Sequence, residues 1–325
     1  MENAAVVVGV GIVAIDIIDE VAEYPKDPFA GTSEVQVIAA QLGCSSHWVG
    51  TTTDPETDSD AAFAHAELKR FGVDCSTSTV LPRGSIPVSH ILASRATGSR
   101  TIVHSRDLEE LQVADFEAAT RSLLATESDA APRALWFHFE GRNMAAVLQM
   151  MQLIRARSRS ARISVEVEAL RYDWELAKQL VTTADVAFVS KDYIRDNVGY
   201  PDANAFLAAE FGGTAEGEQL AAVVCPWGSD GVFYQRCRDP PPRTVQQIET
   251  TPLARVVESI GAGDTFIGAC VAALSNAVPL AQALALACDV ATAKCARVGF
   301  EVALEDRARW SQLVLSAAQR QQELM

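Results

Sequence analysis

The chain has 325 residues, 49% of them hydrophobic and 21% charged, enough to bury a large core in one large α/β domain or two smaller ones. Its formal net charge of −15 excludes nucleic acid and anionic membrane surfaces as natural partners, because so acidic a surface repels both. A nucleotide is not excluded, since a local nest of backbone amides outweighs the global field at close range.

In chain order, β-branched apolar runs alternate with longer amphipathic stretches. Val6–Val13 reads as a buried strand. Its opening, MENAAVVVGVGIVAID, has no basic n-region and meets Asp16 too early for a signal peptide, so a cytosolic protein is expected. No apolar run reaches the length of a membrane span. Asp60–Gly72 predicts a helix ended by its glycine. Ile86–Ser94 and Arg100–Ser105, around the turn-like Ala96-Thr97-Gly98-Ser99, predict a β-hairpin, which suits a lid over the edge of a parallel sheet. Strands follow at Ala134–Phe139, Ile163–Val167, Val186–Val189 and Ala221–Cys225. Helices are predicted at Asn143–Arg157, Asp173–Val181 and Ala203–Glu210, which together argue for a parallel sheet with helices on its faces. Residues 263–298 read as two packed Ala-rich helices joined near Pro279, and a last helix covers Asp306–Glu323. The seven cysteines are scattered without a C-x-x-C pair and read as reduced thiols.

The chemistry concentrates at Ser259-Ile260-Gly261-Ala262-Gly263-Asp264-Thr265-Phe266. Two glycines one apart before a helix let backbone amides converge on an anion at the helix N-terminus. Asp264 then falls in the first turn, where the dipole favours a carboxylate. A carboxylate beside an anion hole is what a kinase needs to take a proton from an attacking hydroxyl. Plain capping of the helix is the alternative.

This Gly-Ala-Gly-Asp segment before an Ala-rich helix resembles the signature of the ribokinase-like (PfkB-type) carbohydrate kinases. The likeness extends over most of the chain and is closest to the ketohexokinase, or fructose 1-kinase, branch. Further matching blocks are Asp16 followed by Tyr24-Pro25-Lys26; Gly98-Ser99-Arg100-Thr101-Ile102-Val103; and His138-Phe139-Glu140-Gly141-Arg142-Asn143. Ser164-Val165-Glu166-Val167-Glu168, Phe188-Val189-Ser190-Lys191-Asp192, Lys294-Cys295 and Gly299-Phe300 complete the series. The resemblance implies a single ribokinase-like domain with a central, mostly parallel sheet flanked by helices. It also implies a small β lid or clasp within about 14–37 and 86–105.

Position by position, Asp264 resembles the catalytic base and the amides of Gly261, Ala262 and Gly263 the anion hole. Asp16 resembles a carboxylate that binds sugar hydroxyls; a strand-end turn residue is its plainer reading. Arg100, Glu140 and Arg142 are further substrate-side candidates, against a solvated charge for Arg100 and a buried ion pair for the other two. Cys225-Pro226-Trp227-Gly228-Ser229-Asp230-Gly231 resembles the nucleotide-side loop, with Trp227, Gly228 and Gly231 as candidate contacts. Cys288 and Lys294 fall on the helix that borders adenine in the family, where a core thiol and a solvated lysine are the competing readings. The resemblance implies ATP and Mg²⁺, potassium activation and a clasped homodimer, and assigns no metal ligands.

The sequence also departs from the family. The Gly-Gly-Asn stretch whose asparagines hold the sugar is absent, and too few residues separate Lys26 from Leu42 for a strand, a turn and a helix. Ser33–Val37 resembles the start of the clasp strand and Ile38–Gly43 the end of the helix, as if spliced at Val37–Ile38. Either a piece of the coding sequence is missing there or the chain is an impaired kinase. Glu258-Ser259 replaces the usual Asp-Thr next to a neighbouring cation site, and Ser190-Lys191-Asp192-Tyr193 stands where an Asn-x-x-Glu magnesium motif is expected. Gly9-Val10-Gly11-Ile12-Val13-Ala14 fits a dinucleotide-binding pattern but lies in a strand, where it opens no helix.

Overall fold

Four valines in Val6–Val10 leave strand β1 without a polar face, and all five residues are buried. Such a strand is stable only with layers packed on both sides. The computed structural model describes residues 4–20, 29–31, 34–93, 100–125, 134–213 and 219–322, and shows β1 inside the main sheet, with strands on both flanks. Beside it lie β4 (Ser45–Val49) and, beyond that, β6 (Val73–Asp74); on its other flank is β10 (Leu135–Glu140). Next come β11 (Arg162–Val167), β12 (Val186–Val189) and β13 (Ala222–Pro226), all parallel. The antiparallel β14 (Val232–Arg236) and β15 (Gln246–Ile248) close that edge.

Period-2 alternation divides the core. Val6, Val8, Phe137, Ala187 and Val223 face one layer, formed with α3 (Val113–Ala125), α4 (Met144–Arg157), α5 (Trp174–Thr183) and α6 (Ala203–Phe211). Val7, Trp136, Phe188 and Val224 face the other, formed with α1 (Glu34–Gln41), α7 (Ala262–Ser275), α8 (Leu280–Cys295) and α9 (Leu304–Gln322). A further helix, α2 (Ser59–Arg70), packs Ala64 and Leu68 on Trp48 and Val73, and ends before Gly72 at φ +85. Asp58, Asp173 and Asp202 cap α2, α5 and α6 by accepting amides of the first turn.

A second sheet carries the order β3 (Phe29–Gly31), β2 (Ala14–Glu20), β8 (Val88–Ala93), β9 (Arg100–Ser105). The expected hairpin is its β8–β9 pair, antiparallel in register from Val88↔Ser105 to Ala93↔Arg100; its turn at 96–99 lies outside the described residues, as do Tyr24-Pro25-Lys26. A small parallel pair, β5 (Thr51–Thr52) and β7 (Thr79–Val80), completes the strands described.

Two local expectations are corrected. Val6–Val13 is not one strand: β1 stops at Val10 and the chain leaves the main sheet at Gly11 before β2 begins in the second sheet. The exit is crowded, since a Cβ on Gly50 would lie 2.3 Å from the Gly11 carbonyl oxygen. The strand-like reading of 33–37 also fails, because from Glu34 the chain is helical. Val35, Ile38, Ala39 and Leu42 recur at helical spacing and dock on α7, so tertiary burial decides against the β-branched local preference. The docking is close: a Cβ on Gly268 of α7 would meet the Val35 carbonyl at 2.7 Å.

Candidate active site

Strand order reverses at β1, which runs between β4 and β10, so the crevice for ligands opens beyond the carboxyl ends of β1 and β10. The second sheet rises from that end, because β2 follows β1 after only Gly11, Ile12 and Val13. The amino end of α7 arrives from the far end of the sequence. Gly261 caps it at φ +69, a left-handed geometry that glycine adopts without strain. Ala262 and Gly263 open the helix, Gly263 is exposed, and half-buried Asp264 stands in the first turn.

Around this helix end the structure gathers carboxylates from four segments. Asp264 bears electrostatically on Asp16 of β2, Glu140 at the end of β10 and Glu166 of β11. Burial raises the Asp16 carboxyl above its ordinary range, opposed by a hydrogen bond with Ser89 and reinforced by Asp264. Burial likewise pushes Glu140 up to about 8, despite the nearby Arg142 charge and an Ile12 amide that donates to Glu140 Oε2 at 3.3 Å. Gly11 makes room for that carboxylate: a Cβ there would sit 2.0 Å from Glu140 Oε1. Glu166 is raised by burial and by Glu168, Asp264 and Glu140. Beneath them His138 is neutral, its pKa lowered to about 3 by burial, with Nδ1 2.9 Å from Ser164 Oγ.

The sign of the resulting pH effect follows from linkage. A carboxyl raised by folding binds its proton more tightly in the native state, so stability falls as pH rises from the unfolded value, about 4.3, toward the folded one. Glu140→Gln removes that penalty. The variant is therefore expected to gain thermal stability over the parent progressively between pH 5 and pH 8, as melting curves would show. A constant offset across that range would refute the assignment.

Arg142 does not pair with Glu140 in the manner of a buried ion pair. Its backbone amide donates to the Glu140 carbonyl at 2.8 Å, while its Nε lies 3.8 Å from Glu110 Oε1, an ion-pair distance without a hydrogen bond; Arg106 is the residue that donates to that oxygen. Arg100 opens β9, but its side chain lies outside those described. The nucleotide-side candidates follow β13: Gly228 and Gly231 take φ +64 and +86 around a single 3-10 turn. Gly231 is held so close to the next segment that a Cβ would lie 2.0 Å from the Ile248 carbonyl. Trp227 is buried, with the Lys191 ammonium 5.5 Å from its ring. Cys288 packs in the core among the α7 and α8 residues, its thiol pushed to about 11 by burial. Lys294 is buried rather than solvated. Glu110, Glu166 and Glu168 were not picked out by sequence as site residues; carboxylates at or just beyond the end of a parallel strand were the available signal for Glu166 and Glu168. All seven cysteines are free.

The pfkB family carbohydrate kinase model matches residues 31–307, so the chain belongs to that family. Mouse (Mus musculus) ketohexokinase is 29% identical over 311 residues, covering 90% of this chain and 96% of that protein. A putative ribokinase from Agrobacterium tumefaciens superposes with a TM-score of 0.72 at 18% identity over 99% of both chains. Aminoimidazole riboside kinase from Salmonella enterica, solved with aminoimidazole riboside and an ATP analogue, gives 0.69 at 19% identity over 95% of this chain and 99% of that one. The fold is ribokinase-like: a large, mostly parallel sheet flanked by helices, with a small separate sheet. Among the described residues no helix is long and apolar enough to cross a membrane.

Proposed function

We propose that this kinase transfers the γ-phosphoryl group of ATP to a ketose, with fructose and its C1 hydroxyl as the favoured acceptor. One observation carries the reading: Asp264 stands in the first turn of α7, beside the amides of residues 261–263, near enough to Asp16 and Glu140 to act on them electrostatically. Asp264 takes the proton of the attacking hydroxyl, and the amides of Gly261, Ala262 and Gly263 bind the charge that develops on the transferred group. Asp16 and Glu140 orient sugar hydroxyls from two sides of the crevice. Arg100 and Arg142 are assigned to the substrate side, and Trp227, Gly228, Gly231 and Cys288 to the nucleotide side. The second sheet, whose β9 exposes Val103, is the face proposed for a homodimer.

The crowded carboxyls of Glu166 and Glu168 suit a divalent cation, because Mg²⁺ takes only one or two carboxylates and completes its shell with phosphates and water. Bound there, Mg²⁺ would neutralise phosphate charge. Among the described residues no group of three or more His, Cys, Asp and Glu side chains forms a protein-only metal cage.

A second reading, an impaired homologue that binds nucleotide, is favoured by the absence of the family's sugar-holding Gly-Gly-Asn stretch, expected at Val37–Ile38, which falls within the short α1. Each sugar hydrogen bond lost with an unsatisfied buried group costs about 1–3 kcal/mol, so a high KM is expected. ADP release with ATP, Mg²⁺ and fructose, ribose or adenosine separates the readings. Fructose-dependent turnover supports the kinase, and ADP release with none of the three supports the homologue.

A further inference from the structure

Two glutamines of α1 are almost fully buried, and they differ in how their carboxamides are held. Gln41, 2% exposed, donates from Nε2 to the Phe300 carbonyl at 2.9 Å and accepts the Val302 amide at 2.8 Å. The backbone carbonyl of Gln36, 5% exposed, accepts from Ser46 Oγ at 2.9 Å, but among the described residues its carboxamide has no hydrogen-bond partner. That carboxamide lies against the bare backbone of Gly9, where a Cβ would be 1.4 Å from Nε2. Gly11, two residues on and therefore on the same face of the chain, gives similar room to the Glu140 carboxylate. Level with Gly9 on β10 is His138, whose buried Nε2 also lacks a hydrogen-bond partner among the described residues. Unpaired buried polar groups cost stability, and their gathering at a crevice reserves them for a ligand.

The helix carries Gln36 to the right end of the sheet. α1 leads into β4, which runs parallel to β1, so its first turn stands at the carboxyl ends of the strands that border the crevice. There Val35 meets Gly268 of α7, one helical turn beyond Asp264. From this placement we propose that Gln36 is a specificity-determining residue, whose carboxamide hydrogen-bonds hydroxyls of the acceptor in the crevice shared by Glu140 and Asp264. The proposal rests on the reading of Asp264 as the base of phosphoryl transfer, and adds what the crevice selects. A carboxamide is uncharged and offers both N–H donors and an oxygen acceptor. It therefore suits a neutral polyol with vicinal hydroxyls, one accepting from Nε2 and its neighbour donating to Oε1. With the Gly-Gly-Asn stretch absent and Gln41 engaged by Phe300 and Val302, Gln36 is the glutamine of α1 that remains for a sugar.

The test measures kcat and KM for fructose and for its monodeoxy analogues with the parent and with Gln36→Leu. The leucine variant should keep its melting temperature and its KM for ATP, because no hydrogen bond of the fold is lost, while KM for fructose rises about tenfold with little change in kcat. The parent should use at least one monodeoxy fructose about tenfold less well than fructose in kcat/KM, and the variant should not make that distinction. An unchanged KM for fructose in the variant overturns the proposal, as does equal discrimination by both proteins. Should the leucine variant not fold, Gln36→Met, which keeps the side-chain length without the amide, is read by the same criteria. If no sugar is phosphorylated, the transfer reading falls by itself. Calorimetric titration of fructose in the presence of a non-hydrolysable ATP analogue then still decides this proposal. Binding to the parent that weakens about tenfold in the variant supports it. Equal affinity for both proteins, or no binding to the parent, overturns it.

Discussion

Asp264→Asn is expected to lower fructose-dependent turnover by about 10²–10⁴-fold, the contribution typical of a positioned general base. The amide keeps the size of the carboxylate and its place in the first turn of α7, but it no longer accepts the sugar proton. Residual activity comes from the amides of residues 261–263 and from positioning, which the substitution leaves in place. Melting temperature and binding of an ATP analogue should stay close to the parent, because Asp264 is only half-buried and the amide keeps its size. A steady-state assay beside a nucleotide thermal shift checks both halves. Unreduced turnover would refute the proposed mechanism, while loss of the nucleotide shift would recast Asp264 as a structural cap.

Asp185→Ala has the largest effect expected on stability, at the opposite end of the sheet. Asp185 immediately precedes β12 and is 3% exposed. Its carboxylate accepts from Arg155 Nη2 at 2.7 Å, from Arg162 Nη1 at 2.9 Å and from the buried amide of Ile163 at 2.8 Å. Truncation leaves that amide unsatisfied and the mostly buried Arg155 guanidinium without its carboxylate; Arg162, half exposed, adds little. A loss of about 3 kcal/mol is expected in urea denaturation, with kcat unchanged. Asp185→Asn should cost less, since its carbonyl still receives the Ile163 amide. A loss below about 1 kcal/mol for the alanine variant would show that water replaces the network.

Asp264 and Asp185 differ in where their chemistry is encoded. Asp264 was legible because its chemistry is local: glycine geometry, a helix start and a first-turn carboxylate lie within four residues. Asp185 was not, because its partners come from α4 and β11 and meet only in the folded chain. The same division runs through the fold. Val186–Val189 is a strand over the very residues its sequence predicts, and Leu135–Glu140 and Met144–Arg157 lie within one residue of their predicted ends, because continuous burial or 3.6-residue periodicity is written in them. Ser45–Val49, which opens with two serines and a histidine before Trp48 and Val49, carries no strand signal of its own. Its pairing with β1 supplies what its local propensity lacks. Residues 34–37 went the other way, β-branched in part yet helical, since burial against α7 outweighs propensity.

By itself, the sequence determined the α/β layering, the family likeness, the anion-hole segment with Asp264 and the loss of the Gly-Gly-Asn stretch. These follow from periodicity, from backbone permissiveness at glycine and from contiguous motifs. Tertiary structure alone decided that Asp16, Glu140, Glu166 and Asp264 share one electrostatic environment, that Arg142 turns to Glu110, and that Lys294 closes on Glu258 and Ile260. Charges act through distance in space, and residues more than a hundred positions apart become neighbours only when the sheet brings the ends of its strands together.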